Sequence, residues 1–131
     1  MPYPAPHPRR EGRIVVSHDD PAQLASITSL LRSAGFCVFE AQDELACCGI
    51  ALLISRLQLI IVNNEWTEQS RLIRHLLREI PSVTVLQLAT HPVQQAQSSR
   101  VATLQQPFTE HQLLDAVNQL MSEVAMGAEL M

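Results

Sequence analysis

Side chains able to do chemistry follow two apolar runs of the sequence. His18, Asp19 and Asp20 come directly after the run Arg13–Ser17, and Asn63 comes after the run 59–62. Carboxylates and an imidazole grouped in this way could bind a divalent cation or transfer a proton. No nucleophile is paired with an evident base, so the sequence does not indicate covalent catalysis.

The basic residues exclude several other chemistries. All nine are arginine, and the chain contains no lysine. Schiff-base catalysis and a P-loop therefore lack the ammonium group that they require. With only four glycines, a glycine-rich phosphate loop for a nucleotide or flavin is not expected, and we expect no cofactor. The formal net charge of −4 argues against a nucleic-acid-binding surface.

Length and composition fit one folded domain, because the 131 residues are 47% hydrophobic and 17% charged. No apolar run approaches the ~20 residues that span a bilayer, and the N-terminus lacks the apolar segment of a signal peptide. We therefore expect a cytoplasmic protein that does not enter a membrane. Cys37, Cys47 and Cys48 have no metal-ligand spacing and are expected to be small buried hydrophobic side chains.

The two ends of the chain differ from its middle. Proline at positions 2, 4, 6 and 8 prevents helix formation and sheet pairing, so residues 1–12 are predicted to be a disordered leader. Residues 126–131 are expected to form a frayed C-terminus. The folded domain is predicted to span residues 13–125.

Between the ends, the hydrophobic period alternates between strand and helix. Strands are predicted at Arg13–Ser17, 36–41, 59–62, 83–88 and 101–104. A first helix is predicted between Pro21 and Gly35, capped by Asp19 or Asp20. Further helices are predicted at 44–56, 67–80 and 109–124. The second of these four helices is predicted to bury Ala46, Ile50, Leu53 and Ile54.

Alternating strands and helices of this length predict a three-layer α/β/α fold of flavodoxin type. The sheet would have five parallel strands in the order 2-1-3-4-5, with the uniformly apolar run 59–62 buried on both faces. Ligands and chemistry in such folds lie at the carboxyl ends of the strands, which is where the polar groups above would meet.

The chain resembles the receiver domains of two-component response regulators. The resemblance covers residues 13 to about 124 and rests on RIVVSHDDPAQLASITSLLRSAGF, LQLIIVNNEW, VTVLQLAT and LQQPFTEHQLLDAV. A receiver of this family holds a magnesium ion with two acidic residues after strand one and accepts a phosphoryl group on an aspartate ending strand three. A Thr or Ser after strand four and a Lys after strand five then hold the phosphoryl group.

Four of these five key groups differ here. The resemblance places His18 and Asp19 at the acidic pair, or Asp19 and Asp20 if the loop shifts by one residue. It places Asn63 at the phosphoacceptor. The hydroxyl, aromatic switch and lysine positions fall on Ala89, Thr103 and Gln106.

These replacements predict a domain that is not phosphorylated on aspartate. A neutral amide is a far weaker nucleophile than a carboxylate, magnesium favours carboxylate ligands, and no cation is left to balance a phosphoryl group. A structural alternative also exists for each group. In this alternative His18 is a surface loop residue, Asp19 and Asp20 are helix caps, and Asn63 is an ordinary turn residue.

Two further departures lie in the loops. The fourth helix of the family, here 91–100, is predicted to be short or degenerate because its sequence has almost no apolar face. Trp66 stands in the loop that follows the acceptor position. It is either an exposed partner contact or a cover over the core.

The resemblance implies a bacterial signalling protein, a pseudo-receiver in a phosphorelay. It would be no enzyme and would act through protein contacts with a histidine kinase, another regulator or a second copy. Two alternatives remain open. One is a flavodoxin-like enzyme or ligand-binding protein that uses His18, Asp19, Asn63 and Gln106 as a polar pocket. The other is phosphorylation at an unaligned carboxylate such as Asp20 or Glu65.

Overall fold

A single parallel sheet organises the chain. The computed structural model describes residues 12–63, 71–89 and 100–130. Five strands pair in the order β2-β1-β3-β4-β5, and every pairing is parallel. The strands are β1 Arg13–Ser17, β2 Cys37–Ala41, β3 Leu57–Asn63, β4 Thr84–Ala89 and β5 Val101–Gln105. The predicted α/β fold and strand order are confirmed.

Helices cover both faces of this sheet. In the described ranges they are α1 Pro21–Ser33, α2 Glu44–Leu53, α3 Arg71–Glu79 and α4 Glu110–Leu130. Buried side chains of α1 and α4 share one hydrophobic core, which includes Leu31 and Val117. Buried side chains of α2 and α3 share the core on the opposite face, which includes Cys47 and Leu76. None of these helices is both long and apolar enough to cross a membrane.

The central strand, β3, is buried on both faces of the sheet, as its uniformly apolar sequence predicts. The side chains of residues 59–62 are completely buried and alternate between the two cores. All six residues of β4 are buried as well. Burial on both faces explains why neither strand shows the polar alternation of a half-exposed strand.

Capping residues fix where the helices begin. Asp20 precedes α1 and accepts a hydrogen bond from the Ala22 N–H at 3.0 Å, so of the two predicted caps the structure selects Asp20. Thr109 is the cap of α4 instead of its first residue, and Thr109 and Gln112 satisfy each other's backbone N–H groups. At the end of α1, Gly35 has φ 103°, the left-handed conformation that glycine adopts without strain.

The face that α2 buries differs from the prediction at one residue, Leu53. The other three predicted residues, Ala46, Ile50 and Ile54, are partly buried and pack against the core. Leu53 is 86% exposed, whereas Cys47, Cys48 and Ala51 are the buried side chains. The fully buried positions of α2 carry small side chains, and the helix packs against β1, β2 and α3. The helix also ends at Leu53, three residues before the predicted end at Arg56.

Cys37 corrects a second prediction. Cys47 and Cys48 are buried as expected, but Cys37 is exposed. Its strand, β2, lies at the edge of the sheet, where a side chain can point away from both cores.

Several boundaries differ in length. The strand β3 begins at Leu57, two residues before the predicted run 59–62. The helix α4 continues to Leu130, through most of the segment 126–131 for which the sequence predicts fraying. Residues 1–11 of the predicted leader and residues 91–99 of the predicted degenerate fourth helix lie outside the described residues.

Arg100 joins the α3 end to β4. Its guanidinium donates hydrogen bonds to the carbonyls of Leu77, Ile80 and Val83 at 2.6, 2.7 and 3.0 Å. These acceptors lie at or just beyond the C-terminal turn of α3, where helix carbonyls lack intrahelical partners. Burial lowers the pKa of this guanidinium below its ordinary value. The sequence alone did not indicate this contact.

Candidate functional site

The carboxyl edge of the sheet collects the predicted site residues. The register pairs Asn63 at the end of β3 with Leu88, and it pairs Ala89 at the end of β4 with Gln105. His18 and Gln106 come immediately after β1 and β5. His18, Asn63, Ala89 and Gln106 therefore share one edge, as the parallel arrangement requires.

His18 is a buried histidine with a defined hydrogen bond. Only 8% of the residue is exposed, and its Nδ1 accepts a hydrogen bond from the Asp20 N–H at 3.0 Å. His18 is thus part of the turn that leads into α1, and the interpretation as a surface loop residue is wrong.

The two aspartates beside it have different surroundings. Asp19 is 66% exposed at its side chain, and its Oδ1 lies 3.4 Å from His18 Nδ1. Asp20 uses its carboxylate as the cap of α1. One carboxylate is therefore engaged by the backbone, while the other faces solvent beside an imidazole.

The ends of β4 and β5 are joined by their backbones. The Gln106 N–H donates a hydrogen bond to the Ala89 carbonyl at 2.7 Å, and the peptide bond between Gln106 and Pro107 is cis. Ala89 is completely buried and presents only a methyl group. A methyl group cannot donate a hydrogen bond to a ligand at this edge.

A buried polar pair lies one layer below the edge. Gln87 is 2% exposed, and its Nε2 donates a hydrogen bond to Thr103 Oγ1 at 3.1 Å. In the described part of the chain, Gln87 Oε1 and the hydroxyl of Ser17 are buried without a hydrogen-bond partner. Gln87 and Thr103 are also paired in the register of β4 and β5, so the side-chain hydrogen bond joins directly neighbouring residues of the two strands.

Gln87 was not identified from the sequence, although a signal was present. A glutamine inside the otherwise apolar strand Thr84–Ala89 is unusual, because a buried amide needs hydrogen-bond partners. The predicted contact residue Trp66, together with Asn64 and Glu65, lies outside the described residues. The proposed contact at Trp66 therefore stays a prediction.

Comparison with known proteins identifies the fold. No family model matches the chain, and no curated protein matches it. The chain is similar to a response regulator receiver protein from Sinorhizobium medicae, with a TM-score of 0.74 and 18% identity over 86% of this chain and 96% of that one. It has the receiver-domain fold.

Two more solved structures support this. A CheY-like receiver domain protein from Methanospirillum hungatei matches with a TM-score of 0.76 and 16% identity over 88% of this chain and 98% of that one. The receiver domain of the hybrid histidine kinase CckA matches with a TM-score of 0.72 and 22% identity over 84% and 99%. At these identities the likeness is one of fold.

The residues present at the edge do not fit the magnesium ion that receivers hold there. Magnesium favours carboxylate oxygens in near-octahedral geometry. Here the Asp20 carboxylate caps α1, and the buried side chain beside it is the imidazole of His18 and not a carboxylate. Within residues 12–63, 71–89 and 100–130, no three His, Cys, Asp or Glu side chains gather in a way that could hold a metal ion.

Proposed function

We propose that this domain is an atypical receiver of two-component signalling that acts through protein contacts without being phosphorylated. The observation that carries the proposal is the position of Asn63, which ends the central strand of a receiver fold. Phosphoryl transfer to that position needs an anionic carboxylate oxygen as the nucleophile. An amide has neither the charge nor the basicity for the attack.

The neighbouring strands support the same conclusion. A phosphoryl group brings a charge close to −2 at neutral pH, which must be met by cations and hydrogen-bond donors. Ala89 offers no donor, Gln106 is uncharged, and the backbone N–H of Gln106 is already bonded to Ala89. Since the chain has no lysine, only an arginine or a protonated histidine could supply a side-chain cation. We propose that the domain is not an enzyme.

The local structure of α1 and α4 supports a role in protein contacts. In the family, the surface that receivers present to histidine kinases consists of the first helix, the loop after strand five and the last helix. Here α1 begins at a capped turn, α4 begins at the Thr109 and Gln112 capping box, and both helices pack into one core. Such a surface could bind a histidine kinase or another regulator while accepting no phosphoryl group.

Mass spectrometry tests the chemical half of the proposal. The full chain is incubated with acetyl phosphate and Mg²⁺, and its intact mass is measured. We expect no phosphoryl adduct, and a phosphorylatable receiver treated in parallel serves as the positive control. A stoichiometric gain of one phosphoryl group would overturn the proposal and point to a carboxylate such as Asp20 or Glu65.

Titration calorimetry tests the binding half. The full chain is titrated against the histidine kinases of its source organism. We expect Ser26→Arg, at an exposed position of α1, to weaken binding about tenfold or more. Ser82→Arg makes the same change at an exposed turn before β4 and should leave binding unchanged. Absence of binding to every kinase would count against an adaptor role.

One observation favours the alternative of a small-ligand site. The Ser17 hydroxyl and Gln87 Oε1 are buried near the carboxyl edge without a partner in the described part of the chain, and a ligand could supply one. A thermal-shift screen with nucleotides, flavins and divalent metals separates the two proposals. A rise of several degrees with one compound would favour the ligand site.

A further inference from the structure

The outward face of α2 is apolar. Within the described residues, the exposed large hydrophobic side chains are Leu45, Leu52 and Leu53, and all three lie on this helix. Their exposed fractions are 72%, 47% and 86%. Single exposed leucines are ordinary on protein surfaces, but a cluster on one helix marks an interaction site.

The spacing of these residues makes one continuous surface. At 100° per residue, Leu45, Gly49, Leu52 and Leu53 fall on the same side of α2, and we call this set the leucine face. The opposite side of the helix is buried through Cys47, Cys48 and Ala51. The leucine face therefore points away from the domain.

Gly49 has no local reason to be glycine. A Cβ built at this position meets no atom within 4 Å. Glycine inside a helix is less favourable than alanine, and here no close contact in the described residues requires it. At the centre of a helix pair, however, a missing side chain lets two backbones approach closely.

The leucine face is complementary to itself in an antiparallel pair. Leu45 and Leu53 each stand four residues from Gly49, so a two-fold axis at Gly49 sets Leu45 against Leu53 of the second copy. Exposed charges outside the leucines match as well. Asp43, whose carboxylate caps α2, lies six residues before Gly49, and Arg56 lies seven residues after it. The same axis therefore sets the acidic end of one helix beside the basic end of the other.

Arg13 adds a second positive charge at the C-terminal end of α2. Its guanidinium donates hydrogen bonds to the Ser55 carbonyl and hydroxyl at 2.9 and 3.1 Å, which holds a second cation at the C-terminal end. Antiparallel pairing also sets the positive end of one helix dipole beside the negative end of the other.

We propose that the leucine face is a homodimer interface, formed by two α2 helices packed antiparallel about Gly49. We assign the partner as a second copy of this chain because one two-fold axis at Gly49 accounts for three features. It sets leucine against leucine, glycine against glycine, and the acidic end of one helix beside the basic end of the other. A single helix pair buries less than the ~800 Å² per partner of a standard interface. The dimer is therefore weak, with a dissociation constant in the micromolar range or above.

Sedimentation equilibrium of the full chain tests the proposal, at concentrations from about 1 to about 500 µM that bracket this affinity. We expect the wild-type mass to rise towards that of a dimer. Leu53→Glu should raise the dissociation constant about tenfold or more, because it places a charge in the interface. Gln119→Glu adds the same charge at an exposed position of α4 and should leave association unchanged.

Two further variants test the geometry. Gly49→Gln should weaken association without lowering the thermal midpoint, because glutamine favours the helix but separates the pair. Arg56→Glu should weaken association more than Arg56→Gln, since glutamate would face Asp43 of the second copy. A role in monomer folding alone would not produce this combination.

Two outcomes would overturn the proposal. One is a wild-type protein that stays monomeric over the whole range; if Leu53→Glu then lowers its thermal midpoint, a segment of the same chain such as 1–11 covers the leucine face. The other is a dimer that Leu53→Glu and Arg56→Glu leave intact. Neither outcome bears on phosphorylation, so the two proposals can fail separately.

Discussion

At the scale of single residues, the proposed absence of phosphorylation depends on Asn63 at the end of the central strand. We predict that Asn63→Asp alone gives little or no phosphorylation by acetyl phosphate and Mg²⁺, because Ala89 and Gln106 still cannot hold the product. Intact mass spectrometry measures the adduct. Adding Ala89→Ser and Gln106→Lys to the same chain should increase it. Robust labelling of the single variant would show that the flanking positions matter less than we infer.

Gln87 permits a second test at this scale, because its amide is only partly used. Its Nε2 reaches Thr103, but its Oε1 is buried without a partner in the described residues. A buried acceptor without a partner is costly, and Thr103, which is exposed, can bond to water once the amide is removed. An apolar side chain of similar shape should therefore be neutral or stabilising at this position. We predict that Gln87→Met changes the free energy of unfolding by between zero and about 2 kcal/mol in the stabilising direction.

Urea denaturation measures this change. The matched control is Gln58→Met in β3, where the side chain is partly exposed and no comparable buried oxygen has to be satisfied. A loss of more than about 1 kcal/mol in Gln87→Met would mean that the amide oxygen has a partner, as a ligand site would require.

The residues that sequence reasoning placed correctly are those fixed by strand ends. His18, Asn63, Ala89 and Gln106 had to meet once the strands were parallel, whatever their side chains do. The hydrogen bond between His18 and the Asp20 N–H could not be predicted, because it depends on the ring orientation within one turn. The Gln87 contact needed the register of β4 against β5, which the sequence does not contain.

At the scale of elements, Arg100 shows how one side chain completes a helix. Its three hydrogen bonds go to carbonyls at or just beyond the end of α3, and a planar guanidinium can reach several acceptors that an ammonium cannot. We predict that Arg100→Lys lowers the free energy of unfolding by about 2 kcal/mol, although the charge is kept.

Chemical denaturation of two single variants, Arg100→Lys and Arg78→Lys, measures this change against a control. Arg78 lies on the exposed side of α3, and its replacement should change the free energy of unfolding by less than about 0.5 kcal/mol. Equal effects in the two variants would mean that the three hydrogen bonds of the Arg100 guanidinium do not stabilise this region more than any arginine near α3 does.

Element types were more predictable than helix faces. Strands rich in β-branched residues and leucine can be predicted from the local sequence, because capping and turn residues mark their ends. Their parallel pairing follows from the alternation of strands with helices. The buried side of α2 could not be read in the same way, since the helix has apolar residues all round. Only packing against β1, β2 and α3 decides that Cys47 and Ala51 face inward and Leu53 outward.

At the scale of the whole molecule, the two proposed surfaces lie on opposite sides of the sheet. The α1 and α4 surface belongs to one core, and α2 belongs to the other. A dimer formed through the leucine face would therefore leave both α1 and α4 surfaces open. The assembly could bind two partner molecules at once, which raises the local concentration of each partner for the other.

This arrangement predicts that association and partner binding are separable. Leu53→Glu should weaken the dimer about tenfold or more while each chain still binds a histidine kinase with the wild-type affinity, because the change lies on the far side of the sheet. Ser26→Arg should do the reverse, losing the kinase and keeping the dimer. Calorimetry gives the affinity and sedimentation gives the mass of the complex: two kinases per dimer for the wild type, and one per chain for Leu53→Glu. If Leu53→Glu also lost the kinase, the partner would dock on the leucine face, and the separation of the two surfaces would be wrong.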